Sequence, residues 1–342
     1  SCSHHASVYK TKARPVGAEL FCFAQPAHRN APVRHRVNVV VYAATAPHQE
    51  TAMTSLHTGG PNQDQVAYWN SDAGDLWVNV QPRFDRLFAG ITAAILDAAD
   101  PVAGETVLDV GTGAGDLSLA LISRAAVARV VALDISEPLL NHAQSRFQAA
   151  GAMVAETLLA DAATYPFQPA SFDLTVSRFG GMFFADPAQG FANIRSAMAP
   201  RARLAFACWA PLSGNPWFSM PRDAAIAVLG DPDATAPPPP PFAPGPFQLS
   251  DKAALLGVLN SAGYAQVSID TRTIPLLSPG SLEDAVDLVT TVGPTGRIMR
   301  EQAGTADDLL TIRDRLTERM SEYVTAAGVA VPARIHVVTA TA

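Results

Sequence analysis

Apolar residues along this chain recur at two spacings that alternate from about residue 63 onward. Phe84, Leu87, Phe88, Ile91, Ile95 and Leu96 lie three or four apart, which predicts a helix with one buried face that Asp100-Pro101 stops. Short apolar runs follow at residues 106–110, 129–133, 153–160, 171–176 and 203–209, each bounded by glycine, proline or an acid, and each reads as a buried strand. Between them lie helical stretches. One begins at Asp116 as N-cap, one opens on Ser136 or Glu137-Pro138 and closes at Gly151, and one spans 191–199 and ends at Pro200. Residues 211–248 break the pattern with Pro237–Pro241, Pro244 and Pro246, a loop or lid outside the core. Beyond it the pattern predicts a helix over 249–263, a sixth strand over 266–277 and helices over 281–290 and 306–327. A last edge strand is expected over 331–340. Strands alternating with helices in this way predict an α/β fold, a doubly wound seven-stranded Rossmann-like sheet with helices on both faces and a helical and loop substrate cap.

The chemistry is concentrated after the first strand. Gly111-Thr112-Gly113-Ala114-Gly115 has three residues without side chains, so the backbone can turn sharply and approach a ligand. The second strand ends on Asp134, about 20 residues beyond the loop, where a carboxylate can grip a ribose diol. Glycine loop and acid together point to a nucleoside site. A dinucleotide fingerprint wants G-x-G-x-x-G, whereas here the third glycine falls one place early and Asp116 follows it. A carboxylate there is unfavourable for a pyrophosphate.

The run E-T-V-L-D-V-G-T-G-A-G, with Asp109 inside the strand, resembles motif I of the class I S-adenosylmethionine-dependent methyltransferases. Farther on, D-A-x-x-x-P-F from Asp161 and S-F-D-L-x-x-S-R-F-G from Ser171 are similar to the ubiquinone/menaquinone-biosynthesis methyltransferases and their small-molecule relatives. The resemblance covers roughly residues 63–210. It implies S-adenosylmethionine as cofactor, held by Gly111, Thr112, Gly113, Gly115 and Ile135, with Ser118 near the methionyl end and Asp134 on the ribose. It further implies Asp161 and Ala162 at the adenine, Ser177 below the sulfonium and Arg178 at the cofactor and substrate mouth. The family usually has Pro-Gly-Gly before the fifth strand, where this chain has Pro200-Arg201-Ala202. The implied reaction is in-line methyl transfer to a small-molecule acceptor such as a quinol, a phenol or another secondary metabolite. No residue stands out as a general base, although Arg178 is placed to orient an anionic substrate. His142 reads as a helix-surface residue. Tyr68 and Trp69 are expected to close the site as part of an N-terminal lid, with packing at the sheet edge as their structural alternative.

Totals narrow the picture further. Of 342 residues, 48% are hydrophobic and 16% charged, as in a globular chain with a sizeable core. The net charge of −7, without an aromatic-interleaved basic run, argues against a nucleic-acid partner. No apolar run reaches transmembrane length, and Cys2, Cys22 and Cys208 are too scattered for a disulfide framework or a metal site. A cytoplasmic protein without a metal is expected. Residues 1–52 carry six Lys and Arg against Glu19 and Glu50, which reads as a disordered or non-native extension with Met53 as the start, or as an organellar import segment. Residues 53–210 are the expected cofactor-binding core with its lid helix, 211–250 a proline-rich cap loop, and 251–342 the rest of the sheet with inserted cap helices. Two other functions are compatible with the sheet: an NAD-dependent oxidoreductase, disfavoured by the glycine spacing and Asp116, and a cofactor-binding protein without catalysis.

Overall fold

The computed structural model describes residues 60–237 and 240–342; the expectation for residues 1–52 lies outside them. Two helices open the described chain, α1 (Gln63–Trp69) and α2 (Asp72–Ala99). The Ser71 side chain accepts from Ala73 N at the start of α2, and Asp100, left-handed at φ 43°, ends it. The apolar residues at helical spacing all point inward: Phe84, Leu87, Phe88, Ile91, Ile95 and Leu96 are buried.

Five parallel strands follow: β1 (Thr106–Val110), β2 (Arg129–Asp134), β3 (Ala155–Leu159), β4 (Phe172–Arg178) and β5 (Met198–Trp209). They are joined by α3 (Asp116–Arg124), α4 (Glu137–Ala149), a short 3-10 turn (Gly180–Phe183) and α5 (Pro187–Ala197). The chain winds outward from β1 to β3, then returns to place β4 on the other side of β1. The crevice at that reversal, beyond the C-terminal ends of the strands, is where an open α/β sheet takes its ligand.

The remainder is α6 (Pro216–Leu229), α7 (Lys252–Ser261), β6 (Ala265–Ser278), α8 (Leu282–Val292), α9 (Pro294–Glu301), α10 (Ala306–Met320), the two-residue β7 (Val324–Thr325) and β8 (Gly328–Thr341). The sheet order is β3-β2-β1-β4-β5-β8-β6, seven strands in line, with β7 paired to β8 alone.

Three expectations are corrected here. The last strand is not an edge: β8 runs antiparallel between β5 and β6, and β6 forms the edge. Val331, Ala333, Ile335, Val337, Val338 and Ala340 are buried, whereas Ser268, Asp270, Thr273 and Pro275 of β6 are exposed. Pro275 has no amide to offer a second neighbour, the mark of an edge strand. Nor are residues 211–250 loop throughout, since α6 occupies their first half and buries Trp217, Met220, Ala224 and Ala225 in the core. Finally, Asp116 is the first helical residue of α3 and not its N-cap, a place taken by Gly115 at φ 81°. Pro200-Arg201-Ala202, expected as a turn before the fifth strand, lies within β5 where its register to β4 shifts, and Arg201 there adopts φ 69°, the left-handed conformation that glycine would take without strain.

Candidate functional site

The glycine loop is shaped by two different demands. At Gly111 (φ 67°), an added Cβ would lie 2.6 Å from Gly180 Cα, so the loop and the turn after β4 touch backbone to backbone. At Gly113 (φ 55°), the same Cβ would meet nothing within 4 Å, and the missing side chain leaves open space in the crevice. Gly115 serves packing, because a Cβ there would sit 2.6 Å from the Phe147 ring of α4.

Three buried carboxylates surround this loop. Asp134, at the end of β2, accepts from Gly113 N at 2.8 Å through one oxygen and from Ser136 N at 2.9 Å through the other. Asp161 follows β3 and accepts from Ala163 N at 2.9 Å and from the Asn62 side chain. Burial pushes both carboxyls above the usual carboxylate range, against the pull of these hydrogen bonds. Asp109 is fully buried in β1. Its Oδ2 accepts from Thr112 Oγ1 at 2.8 Å and Ser118 Oγ at 2.7 Å, while its Oδ1 is buried with no partner. Burial raises its pKa to about 6.

Arg178 is the one cation lining the crevice among the described residues, and its charge is already engaged. Its guanidinium pairs with Asp116, donates to Thr92 Oγ1 at 2.6 Å and lies 5.5 Å from the Phe88 ring centre. A second ion pair, Arg146 to Asp85 at 2.6 Å, backs the loop, with Arg146 also donating to Ala114 O. His142 bonds Gln81 at 3.1 Å behind this pair and does not line the crevice.

The groove brings together Gly111, Gly113, Asp134, Ile135, Asp161, Ala162 and Arg178, seven of the residues singled out in the sequence. Thr112 lines the adjoining recess with Asp109. Gly115, Ser118 and Ser177 do not line the groove. The Ser118 hydroxyl is spent on Asp109, and Ser177 Oγ donates to Val110 O at 2.7 Å, tying β4 to β1. Both are buried hydroxyls, which take the nearest acceptor at hand.

Sequence reading missed Asn62, Phe179, Gly180 and Phe183, all in the groove wall beside Trp77. Asn62 is buried and bridges two segments, since its side chain reaches Asp161 while its Oδ1 accepts from Ala185 N at 2.9 Å. No local signal marks it. Phe179 carried a faint one, as the residue before Gly180 at a strand end; it takes φ 73° and stacks on Trp209 at 4.3 Å.

Beside the groove opens an aromatic chamber walled by Trp69, Trp77, Phe179, Phe183, Trp209 and Trp217 among others. The α1–α2 corner beside it is tethered to the sheet. Ser136 Oγ donates to Trp69 O at 2.8 Å, and Asn70 Nδ2 to Ile135 O at 2.8 Å, so the α1–α2 corner is held to the loop after β2. The segment carrying Pro244, Gly245 and Pro246 is pinned by Gly245 N to Met182 O at 3.0 Å and by Gln248 Nε2 to Phe184 O at 2.7 Å. Trp69 faces both groove and chamber, while Tyr68 lines the chamber alone and is 53% exposed.

The residues fit a cofactor with an adenosine, a ribose and an amino-acid end. Asp134 keeps lone pairs for a diol, the orphaned Asp109 Oδ1 can accept from an ammonium, and the space at Gly113 admits a close approach. The family description "Methyltransferase domain" matches residues 107–201, the stretch that holds all three carboxylates and Arg178. Residues 107–201 thus match a methyltransferase domain, and the curated relatives of this stretch include methyltransferases. The methyltransferase domain is 38% identical over 109 residues to demethylmenaquinone methyltransferase of Thermus thermophilus, covering 32% of this chain and 49% of that protein. The chain therefore spans about half the length of that curated relative. A wider match, 26% over 201 residues, links 57% of this chain to 72% of nocamycin O-methyltransferase of Saccharothrix syringae. The fold is shared with phosphoethanolamine N-methyltransferase 2 of Haemonchus contortus, solved with S-adenosyl-L-methionine. The TM-score is 0.50 and the identity 15%, over 80% of this chain and 59% of that one. Among the described residues no helix is long and apolar enough to cross a membrane.

Proposed function

We propose that the chain transfers the methyl group of S-adenosylmethionine to a small, ring-bearing acceptor held in the aromatic chamber. The observation that carries this reading is the shared wall: Trp69, Trp77, Phe179 and Phe183 line both the groove with the carboxylates and the chamber beside it. Two adjoining compartments of such different chemistry suit two substrates that must meet at one point. When bound, the cofactor supplies a sulfonium methyl open to in-line displacement, which asks the protein mainly for proximity and orientation.

The chain's own residues supply that orientation. Asp134 would hold the ribose, Asp161 and Ala162 the adenine edge, and Asp109 the ammonium of the amino-acid end, with Thr112 and Ser118 fixing its carboxylate. The groove's charge favours a cation over a polyphosphate, because three carboxylates face it and Arg178 is already neutralised by Asp116. That balance weighs against a dinucleotide and so against an oxidoreductase. Tyr68 and Trp69 serve as part of the lid. No carboxylate, imidazole or ammonium lines the chamber among the described residues, so the acceptor's nucleophile works without a base from the chamber wall. The name of the Thermus relative adds support for a quinone-like ring as acceptor. In this reading residues 53–210 are the cofactor half, and 211–250 with 251–342 complete the cap and sheet of a cytoplasmic enzyme.

The test is a thermal melt of the 342-residue chain with S-adenosylhomocysteine and, separately, with NAD, followed by transfer of labelled methyl to a panel of hydroquinones and phenols. Ligand at about 100 times its dissociation constant stabilises by roughly 2.7 kcal/mol, several degrees. A shift with S-adenosylhomocysteine and label in the product are expected. A shift with NAD alone would overturn the reading, and binding without transfer across the panel would favour a non-catalytic role.

A further inference from the structure

The open edge of the sheet has a pattern of its own. β6 is the last strand on that side, and its pairing with β8 settles which of its backbone groups point outward. Ala210 N donates to Arg334 O at 3.0 Å and Ala342 N to Ala202 O at 3.0 Å, so the even-numbered residues of β8 turn their backbone toward β5. In an antiparallel strand the N–H and C=O of one residue point the same way, and the direction alternates along the strand. The odd-numbered residues of β8 therefore face β6, where Ala333, Ile335 and Val337 sit opposite Ile274, Arg272 and Asp270. Ile269, Thr271 and Thr273 are left with their N–H and C=O groups pointing out of the sheet, and no further strand pairs with them among the described residues. Such a row is a template for another strand. Both of its ends are closed. Pro275 has no amide, and at the other end the register with β8 slips between Ala265 and Ser268, where Gln266 adopts φ 51°.

Charge decides which strand can use this edge. Asp270 and Arg272 stand on one face of β6, paired to each other at 2.7 Å with both side chains reaching solvent. A second β6 laid antiparallel, with Thr271 opposite Thr271, sets Asp270 across from Arg272 and Arg272 across from Asp270. In the same register Ile269 meets Thr273 and Thr271 meets its own copy, and these pairs exchange both backbone bonds. The charged residues then form the pairs without backbone bonds, in which side chains stand closest. One step along the edge in either direction sets Asp270 against Asp270 or Arg272 against Arg272. The edge is complementary to itself in one register and repelled in the registers beside it.

We propose that β6 is an interface for a second copy of this chain, joined edge to edge about a two-fold axis at Thr271, so that the two sheets run on as one. No residue of β6 lines the groove, its recess or the chamber, so this pairing stands whether or not the methyltransferase reading does.

Sedimentation of the full chain over a range of concentrations reads the assembly, and circular dichroism with thermal melts reports that each variant folds. The unaltered chain should be a dimer in exchange with its monomer. Asp270→Lys puts a cation opposite Arg272, and Arg272→Asp puts an anion opposite Asp270, so each should weaken dimerisation about tenfold or more. These two variants are complementary to one another. Mixed in equal amounts they should pair with each other, although neither pairs well with itself. The double variant Asp270→Arg with Arg272→Asp should recover the dimer. Thr271 is left in place, because its Oγ1 bonds His336 Nδ1 at 2.9 Å within the fold. A monomer at every concentration overturns the proposal. So does a dimer that the single variants leave unchanged, a mixture that stays monomeric, or assembly beyond two chains.

Discussion

The groove and the chamber are neighbours built on opposite plans. The groove's polar groups are drawn from short motifs at successive strand ends: Gly111 and Gly113 after β1, Asp134 at the end of β2, Asp161 and Ala162 after β3, Arg178 at the end of β4. The chamber is made of rings from five separated segments: α1, α2, the turn after β4, the end of β5 with α6, and the loop at 244–246. The first plan ties each functional group to a fixed offset from a strand end, so any chain that uses it carries the pattern. The second needs only bulk and apolarity facing a common space, and many sequences meet that need. A cofactor common to a whole class can be held by a fixed frame, while acceptors that vary are met by interchangeable rings.

The sharpest way to break this contrast lies within the glycine loop. Gly111→Ala should destabilise the fold by about 3 kcal/mol or more, because its Cβ has no room against Gly180 and its φ is left-handed. Gly113→Ala should cost only about 1–2 kcal/mol for its φ and yet lose S-adenosylhomocysteine binding, since its Cβ would enter space the protein leaves open. Denaturation curves and calorimetry on both variants decide it. Normal cofactor binding by Gly113→Ala would mean that the open space is not the cofactor's.

A second test uses the charge of the groove. The Asp109 pKa rises from 3.8 in the unfolded chain to about 6 in the fold, so the folded state binds more protons than the unfolded state between those values. Stability therefore falls as pH rises through that window, by about 3 kcal/mol at most from this residue, and is level on either side. Asp134, Asp161 and Asp85 are raised as well and add in the same direction. His142 and His336, lowered by burial, pull the other way, so the test is the difference between variants: urea denaturation at pH 4 and pH 7 should show a smaller loss, or a larger gain, with rising pH in Asp109→Asn than in the unaltered chain. An unchanged slope would mean that Asp109 is ionised without penalty, and that its orphaned oxygen already has a partner.

The smallest effect is expected at Ser177, which the motif places at the cofactor and the structure places at Val110. Ser177→Ala should cost about 1 kcal/mol of stability and leave S-adenosylhomocysteine affinity within about twofold. A large loss of affinity would return Ser177 to the site and blur the line between groove and frame.

How much was legible follows from the same contrast. Gly111, Gly113, Asp134, Ile135, Asp161, Ala162 and Arg178 stand at strand ends, and the structure brings them to one groove. Ser118 and Ser177 stand in the same motifs but turn inward, because a buried hydroxyl bonds whichever acceptor is nearest, and that is a matter of a few ångströms. Arg178 is in the groove, yet its charge is cancelled by Asp116, 62 positions earlier in the chain. Asn62 shows the limit most plainly. It lies just ahead of α1, and only folding sets it between Asp161 and Ala185.

By itself the sequence determined the class of fold, the place of the ligand crevice and the kind of cofactor, because periodicity and strand-end motifs act over a few residues. Tertiary structure alone decided that β8 lies inside the sheet, that α6 belongs to the core, and that rings from distant segments close one chamber. The physical reason is that strand order and cavity walls depend on which surfaces meet after the chain has folded back. Burial rewards any apolar surface that fits, and leaves no local mark of the partner it will find.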